Sequence, residues 1–417
     1  MNCESFGSCG SCTLGEPYAD QILYKKQLIA DKFREFFDGE FEFFVSSPQN
    51  YRIRAEFGIW HDIWHSASDL AYTMGGARSK KILINECPKV ALPIANLMPQ
   101  LLEALRRSEA LKERLFGVEF ISCASGILAT LLYHKRLGER EQGAICELAG
   151  KLGIRVMARA RGQKLLSGEL SLTDELCVDG RVYKFRFGEN AFIQPNRGVN
   201  EKMIAWARSC VDFGKEGAGE VCAAQNFIAE NSAAQNSSHE QPAAQNSSCE
   251  KHAVRQESSA ARDLLELYCG HGNFTIPLAA KFNRVLASEI SKSSIANARV
   301  NCEFNGVCNA QFVRLSADEL MSAFARQREF ERLKGIDIFS YDFSHVLIDP
   351  PRAGLEPSVI DFIKNFRNLI YISCNPQTLF ENLRSLCVTH EVRRFAIFDQ
   401  FVHTSHIECG VLLRRRS

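Results

Sequence analysis

The chain has 417 residues with 50 Lys and Arg against 49 Asp and Glu, a formal net charge of +1, and is 46% hydrophobic and 24% charged. That is the balance of an ordinary globular protein, long enough for two or three domains of roughly 150 residues, and any nucleic acid must be met by a local basic patch. No stretch approaches the ~20 apolar residues of a membrane span. The opening Met1-Asn2-Cys3-Glu4 lacks the basic-then-apolar pattern of an export signal, so a cytoplasmic protein without membrane contact is expected.

Helical stretches from Tyr18 to Phe37 and from Val90 to Arg107 sit among strand-like runs at Tyr51 to Phe57, Phe120 to Ala124 and Ile127 to Tyr133. They predict an α+β domain around an antiparallel sheet over residues 1–186. Within it, Lys151, Arg155, Arg159, Arg161 and Lys164 share one segment with no acidic residue. Arg159 and Arg161 would share one face of a strand. Such charge keeps an edge strand soluble, and it also suits a polyanion.

Composition breaks from about Gly217 to Ala260, where Ala223-Ala224-Gln225-Asn226 recurs from Ala233 and from Ala243. With so little apolar material the stretch reads as a flexible insert. Its Cys222, His239 and Cys249 lack metal-site spacing. Beyond the insert, short β-type runs alternate with helical ones: Asp263 to Tyr268, a turn at Cys269 to Asn273, a helix from Phe274 to Lys281, and a strand at Arg284 to Ser288. Further strands are predicted at His345 to Ile348, Asn368 to Ile372, Arg394 to Phe398 and Gly410 to Leu413. Residues 187–417 are therefore expected to form an α/β domain, a mostly parallel sheet covered on both faces.

Four motifs carry chemistry. Gly270 and Gly272 let the backbone turn tightly beside a ligand, and Glu289 follows nineteen positions after Gly270 at the end of the next strand, where a carboxylate can hold ribose hydroxyls. The turn lacks the third glycine of a dinucleotide fingerprint and the Lys-Ser/Thr of a phosphate loop. Both omissions favour a cofactor without phosphates, such as S-adenosylmethionine. Asp349-Pro350-Pro351-Arg352 ends a later strand, where ligands of open α/β sheets bind. Arg352 stands where methyltransferases of exocyclic amines tend to place an aromatic, which argues against that reaction. Cys374 ends an apolar strand just before a helix opened by Pro376, and the helix dipole is expected to lower its thiol pKa. Glu408 precedes the last strand, available as a base.

Asn190-Ala-Phe-Ile-Gln194-Pro-Asn196, Leu267-Tyr268-Cys269-Gly270, Asp349-Pro-Pro-Arg352, Ser373-Cys374-Asn375-Pro376 and His406-Ile-Glu408 occur in the order found in RNA uracil-C5 methyltransferases. The chain resembles the tRNA (uracil-5-)-methyltransferases over nearly its whole length except the insert. The resemblance implies a Rossmann-like class I methyltransferase domain preceded by an RNA-recognition domain. It implies S-adenosylmethionine held by Gln194, Tyr268, Asn273 and Glu289, with Asp349 contacting the cofactor or the uracil. It assigns Cys374 as the nucleophile that adds to C6 and Glu408 as the base that removes the C5 proton. The implied substrate is the T-loop uridine of tRNA, and the similar loop of tmRNA, with no obligate protein partner. The base must leave its stack, and Arg52, Arg54, Arg78, Lys80, Lys81 and the 151–164 segment are candidates for backbone contacts. A 23S ribosomal-RNA uracil methyltransferase and an RNA-folding factor are the alternatives.

The 16 cysteines are otherwise read as reduced thiols. Cys3, Cys9 and Cys12, with distant Cys87, have spacing that could hold an iron–sulfur cluster or zinc. Phe6-Gly-Ser-Cys9-Gly-Ser-Cys12 resembles the 4Fe-4S motif of the ribosomal-RNA members.

Overall fold

A computed structural model describes residues 3–62, 69–76, 80–189, 191–212 and 261–416. Helix α1 (Tyr18–Phe33) buries Gln21, Lys25, Ile29 and Phe33, a single stripe at four-residue spacing, and leads into β1 (Phe41–Phe44). There follow β2 (Arg54–Asp62), β3 (Asp69–Gly75), β4 (Lys81–Ile84), α2 (Leu92–Arg107) and α3 (Glu109–Lys112). The first sheet is completed by β5 (Leu115–Cys123), β6 (Gly126–Tyr133), α4 (Glu139–Leu152), β7 (Arg155–Ala160) and β8 (Gln163–Leu166). Seven strands lie in the order β4-β3-β2-β5-β6-β7-β8, antiparallel except where α4 carries the chain from β6 to a parallel β7. Helix α2 buries Ile94, Leu97, Met98, Leu101 and Leu105, the spacing of one helical face, in the same core as Phe57, Tyr72 and Phe120. The predicted α+β domain is present.

A hairpin of β9 (Leu172–Val178) and β10 (Arg181–Phe187) and helix α5 (Arg197–Asp212) lead to the second sheet. Its elements are β11 (Ala261–Leu267), α6 (Thr275–Leu278), β12 (Phe282–Ser288), α7 (Lys292–Asn305), β13 (Ala310–Val313), α8 (Ala317–Phe324) and β14 (Phe343–Ile348). They continue with α9 (Pro357–Ile363), β15 (Asn368–Ser373), α10 (Pro376–Leu386), β16 (His390–Phe398) and β17 (Glu408–Arg415). Eight strands run in the order β1-β16-β17-β15-β14-β11-β12-β13, and β17 is antiparallel to both neighbours. The strand order reverses at β11, with β12 and β13 on one side and β14 and β15 on the other. Such a reversal opens a crevice at the carboxyl ends of the strands. This is the expected α/β fold.

One boundary differs from the sequence reading, which placed everything before residue 187 in the first domain. Strand β1 pairs in parallel with β16, Phe41 opposite Phe395 and Phe44 opposite Phe398, and so extends the second sheet. Aromatic packing explains the placement: Phe33 and Phe41 lie 4.8 and 4.9 Å from the Phe395 ring. The polar residue of the strand is satisfied there too, since Arg394 donates to both oxygens of Glu42 at 2.9 and 2.8 Å. The repeat insert lies outside the described residues. No helix among the described residues is long and apolar enough to cross a membrane.

Candidate active site

A cavity of about 1140 Å³ opens at the carboxyl ends of β11, β12, β14 and β15 and reaches the first sheet. Gln194, Tyr268, Asn273, Glu289, Asp349, Cys374 and Glu408 all line it, as do Arg52 and Arg54. The residues singled out in the sequence thus meet in one place, although they span 194 to 408 in the chain.

The glycine turn and its acid are joined directly. Gly270 and Gly272 have φ of 56° and 90°, the left-handed region where a side chain is strained. The Gly270 N–H donates to Glu289 Oε2 at 3.1 Å, and the Ser291 N–H donates to Oε1 at 2.8 Å. The carboxylate is therefore fixed at the mouth of the turn. A Cβ at Gly270 would meet nothing within 4 Å, so the turn faces open space. Tyr268 also has a positive φ of 63°, a strain held by the packed strand end. Asn273 exchanges reciprocal amide bonds with Asn200 at 2.9 and 3.0 Å, and Gln194 accepts from Gln400 Nε2 at 2.6 Å. His271 is buried against Phe185, and burial pushes its imidazole down to about 4, so it stays neutral. These groups, with their open glycine turn and pinned carboxylate, fit an adenosine-bearing cofactor.

Beyond the turn lies a cluster of acids. Burial raises Asp349 to about 7, and burial followed by the Asp349 charge raises Glu408 to about 8. Behind them Glu266, on β11, is also raised to about 8 by burial. Cys374 sits half-buried between β15 and α10. Here the sequence expectation is corrected. Its thiol is raised to about 11, first by burial and then by the charges of Glu408 and Asp349. Asn375 caps the following helix by accepting from the Gln377 N–H at 3.1 Å. Arg352 lines the cavity, 3.4 Å from His406 Nδ1.

Several of the expected RNA-contacting cations are engaged within the protein. Arg159 pairs with Glu119, Lys164 pairs with Glu189, and Arg155 donates to Ser125 O at 2.6 Å. Arg155 and Arg159 lie on β7, inside the sheet, and only Lys164 lies on β8 at its edge. Arg52 lies over the Phe401 ring at 5.8 Å, and Arg54 Nη1 donates to Ala191 O at 3.1 Å, both at the cavity wall. Lys80 precedes and Lys81 opens β4, the opposite edge of the sheet, and Arg78 lies outside the described residues.

Cys3, Cys9, Cys12 and Cys87 line one small pocket of about 20 Å³. Burial raises Cys12 and Cys87, and neighbouring thiols add to it. Among the described residues no group of three or more His, Cys, Asp or Glu has metal-holding geometry. The sequence reading missed Lys89, which donates to Ser11 Oγ at 2.5 Å between this pocket and the large cavity. It also missed Lys25 of α1. The signal for Lys25 was present: a lysine at helical spacing between the apolar Ile29 and Phe33 and the equally buried Gln21.

The profile of the tRNA (Uracil-5-)-methyltransferase family matches residues 17–229 and 222–416. The tRNA/tmRNA (uracil-C(5))-methyltransferases of Campylobacter concisus and Campylobacter curvus are each 54% identical, covering 100% of both chains. That of a Sulfurovum species is 42% identical, also over 100% of both chains. The crystal structure of Pyrococcus abyssi tRNA (uracil-54, C5)-methyltransferase in complex with S-adenosyl-L-homocysteine aligns with a TM-score of 0.65 at 18% identity. It covers 95% of this chain and 83% of that one, which shows a shared fold. The chain belongs to the tRNA (uracil-5-)-methyltransferase family.

Proposed function

We propose that this protein transfers a methyl group from S-adenosylmethionine to C5 of the T-loop uridine of tRNA, and of the matching loop of tmRNA. The observation that carries the reading is the convergence of Cys374, Glu408, Asp349 and the Gly270–Glu289 turn on one cavity, with Arg52 and Arg54 on its wall. The full-length relatives named for this activity support the substrate. S-adenosylmethionine, when bound, supplies an electrophilic methyl group on a cationic sulfur, and Gln194, Tyr268, Asn273 and Glu289 are the residues that would hold it.

The chain's own residues account for the rest. C5 of uracil is a poor nucleophile. Bond formation between Cys374 Sγ and C6 moves the C5–C6 electron pair into an enolate and makes C5 nucleophilic. Once C5 carries the methyl group, Glu408 takes the C5 proton. The C–H pair then rebuilds the C5–C6 double bond and expels the Cys374 thiolate. A base raised to about 8 suits that proton. The thiol needs help to ionise, and positive charge brought into an acid-lined cavity favours the thiolate. The uridine must leave its stack to reach Cys374, and Arg52 and Arg54 are placed to meet phosphates at the entrance.

The cysteine pocket is the observation that favours a ribosomal-RNA substrate. The sequence reading also put a 4Fe-4S cluster there, on Cys3, Cys9, Cys12 and Cys87, although among the described residues these thiols do not have metal-holding geometry. The methyl transfer needs no redox step. Iron and acid-labile sulfide in anaerobically purified protein test that assignment; neither being present ends it. The activity is tested by incubating the protein with labelled S-adenosylmethionine and unmodified tRNA, tmRNA and 23S rRNA transcripts, then mapping the methyl group by mass spectrometry. Methylation at C5 of the T-loop uridine is expected. Labelling confined to 23S rRNA would replace the tRNA reading.

A further inference from the structure

The loop that delivers the base is held from elsewhere in the molecule. Residues 399–407 join β16 to β17, bring Phe401 and His406 to the cavity, and run directly into Glu408. Lys25 Nζ donates to Asp399 Oδ1 at 2.6 Å and to Phe401 O at 3.2 Å, and both charged side chains are 0% exposed. One helical turn earlier, Gln21 accepts from the His403 N–H at 3.0 Å, and its amide nitrogen lies 2.9 Å from His403 Nδ1. The Tyr51 hydroxyl donates to Val402 O at 3.1 Å. Thr13 and Leu14 donate their N–H groups to His403 O at 2.8 and 3.0 Å. His403 is held with a positive φ of 63°, a conformation that persists for a non-glycine residue only where surroundings over-determine it.

A fully buried ion pair is a weak source of stability, because removing two charges from water offsets most of their attraction, whereas it can specify one register over another. The Lys25–Asp399 pair connects residues 374 positions apart and also ties down a loop carbonyl next to the cavity. We propose that Lys25 is a positioning residue: with Asp399 it sets the register of the 399–407 loop and thereby aims Glu408 at the C5 proton. The inference rests on the uracil-C5 reading above. It predicts that the elimination step, which needs Glu408, suffers more than the addition step, which needs Cys374.

The test compares full-length wild type, Lys25→Met, Lys25→Met/Asp399→Asn and Gln21→Met on unmodified tRNA transcript. Turnover, KM for each substrate, thermal midpoint and the fraction of protein held as a covalent RNA adduct are measured. Lys25→Met strands a buried carboxylate and can fail to fold. The double variant removes both charges at similar volume and keeps the test open. The double variant should melt close to wild type, turn over about 10- to 100-fold more slowly, keep its KM for S-adenosylmethionine, and accumulate adduct. Gln21→Met should shift the same way by less. Wild-type turnover in the folded double variant, or slow turnover without adduct, overturns the positioning role. Glu408→Gln in the otherwise native chain is the control. If it forms no adduct, the uracil-C5 reading fails; if it forms adduct and the double variant does not, the positioning role fails alone.

Discussion

Two regions bury carboxylates and treat them oppositely. In the 399–407 loop, Asp399 is fully buried against the ammonium of Lys25, with a 2.6 Å contact between them. At the cavity, Asp349 and Glu408 are raised by burial to about 7 and 8, and Glu266 on β11 is raised by burial to about 8. Asp399 is given a cation and anchors a loop. The others are denied one and become titratable near neutrality, which is what a proton acceptor requires. Their partners keep the two roles distinct: Lys25 holds Asp399 at the start of the loop, and the loop runs into Glu408, the proposed base.

The largest expected effect falls on the cavity floor. Cys374→Ala should lower methylation on the order of 10⁵-fold and abolish the covalent RNA adduct on a denaturing gel. An RNA-folding role, by contrast, would survive that change. Glu408→Gln should slow turnover roughly 10²- to 10⁴-fold while adduct accumulates. Rapid, adduct-free turnover by that variant would sink the assignment of the base.

Protonation sharpens the contrast further. Glu408 has a folded pKa raised above its unfolded value, so its contribution to stability is fully present below about 4.3 and is lost as pH rises through about 8. Glu408→Gln should therefore melt higher than wild type above pH 8 and no higher near pH 4, by calorimetry in the absence of ligands. Asp349→Asn removes a like charge, so the acid limb of the rate profile should move down by roughly half a pH unit or less, since burial dominates the shift of Glu408. An upward move would show that Asp349 does not face Glu408 as a charge.

The smallest effects belong to the first domain. Arg52→Ala or Arg54→Ala, at the cavity wall, should weaken tRNA binding and reduce the slope of log affinity against log salt by about one. Arg159→Ala removes a cation paired with Glu119, and should leave both within error. A large loss on Arg159→Ala would make the β7–β8 segment the RNA surface instead.

Much of the second domain was legible before any coordinate. Strand, turn, helix and strand from Asp263 to Ser288 follow local rules of periodicity and glycine conformation, and the Gly270–Glu289 spacing is met by a direct hydrogen bond. Asp349, Cys374 and Glu408 could likewise be singled out because each falls at the end of an apolar strand, and all three line one cavity. Their protonation did not follow from the sequence. Cys374 was expected to be acidified by its helix, yet burial and then the neighbouring acids raise it, and those acids reach it from other strands.

The sequence by itself determined the α/β alternation, the glycine turn and the residue types proposed to react, since these depend on neighbours within a few dozen residues. Tertiary structure alone decided that β1 extends the second sheet and that Arg159 and Lys164 are paired within the protein. It also decided that Lys25 anchors the loop preceding Glu408. The reason is physical: pairing, burial and the resulting charge states are set by what surrounds a group in space, and here Lys25 and Asp399 lie 374 residues apart in the chain.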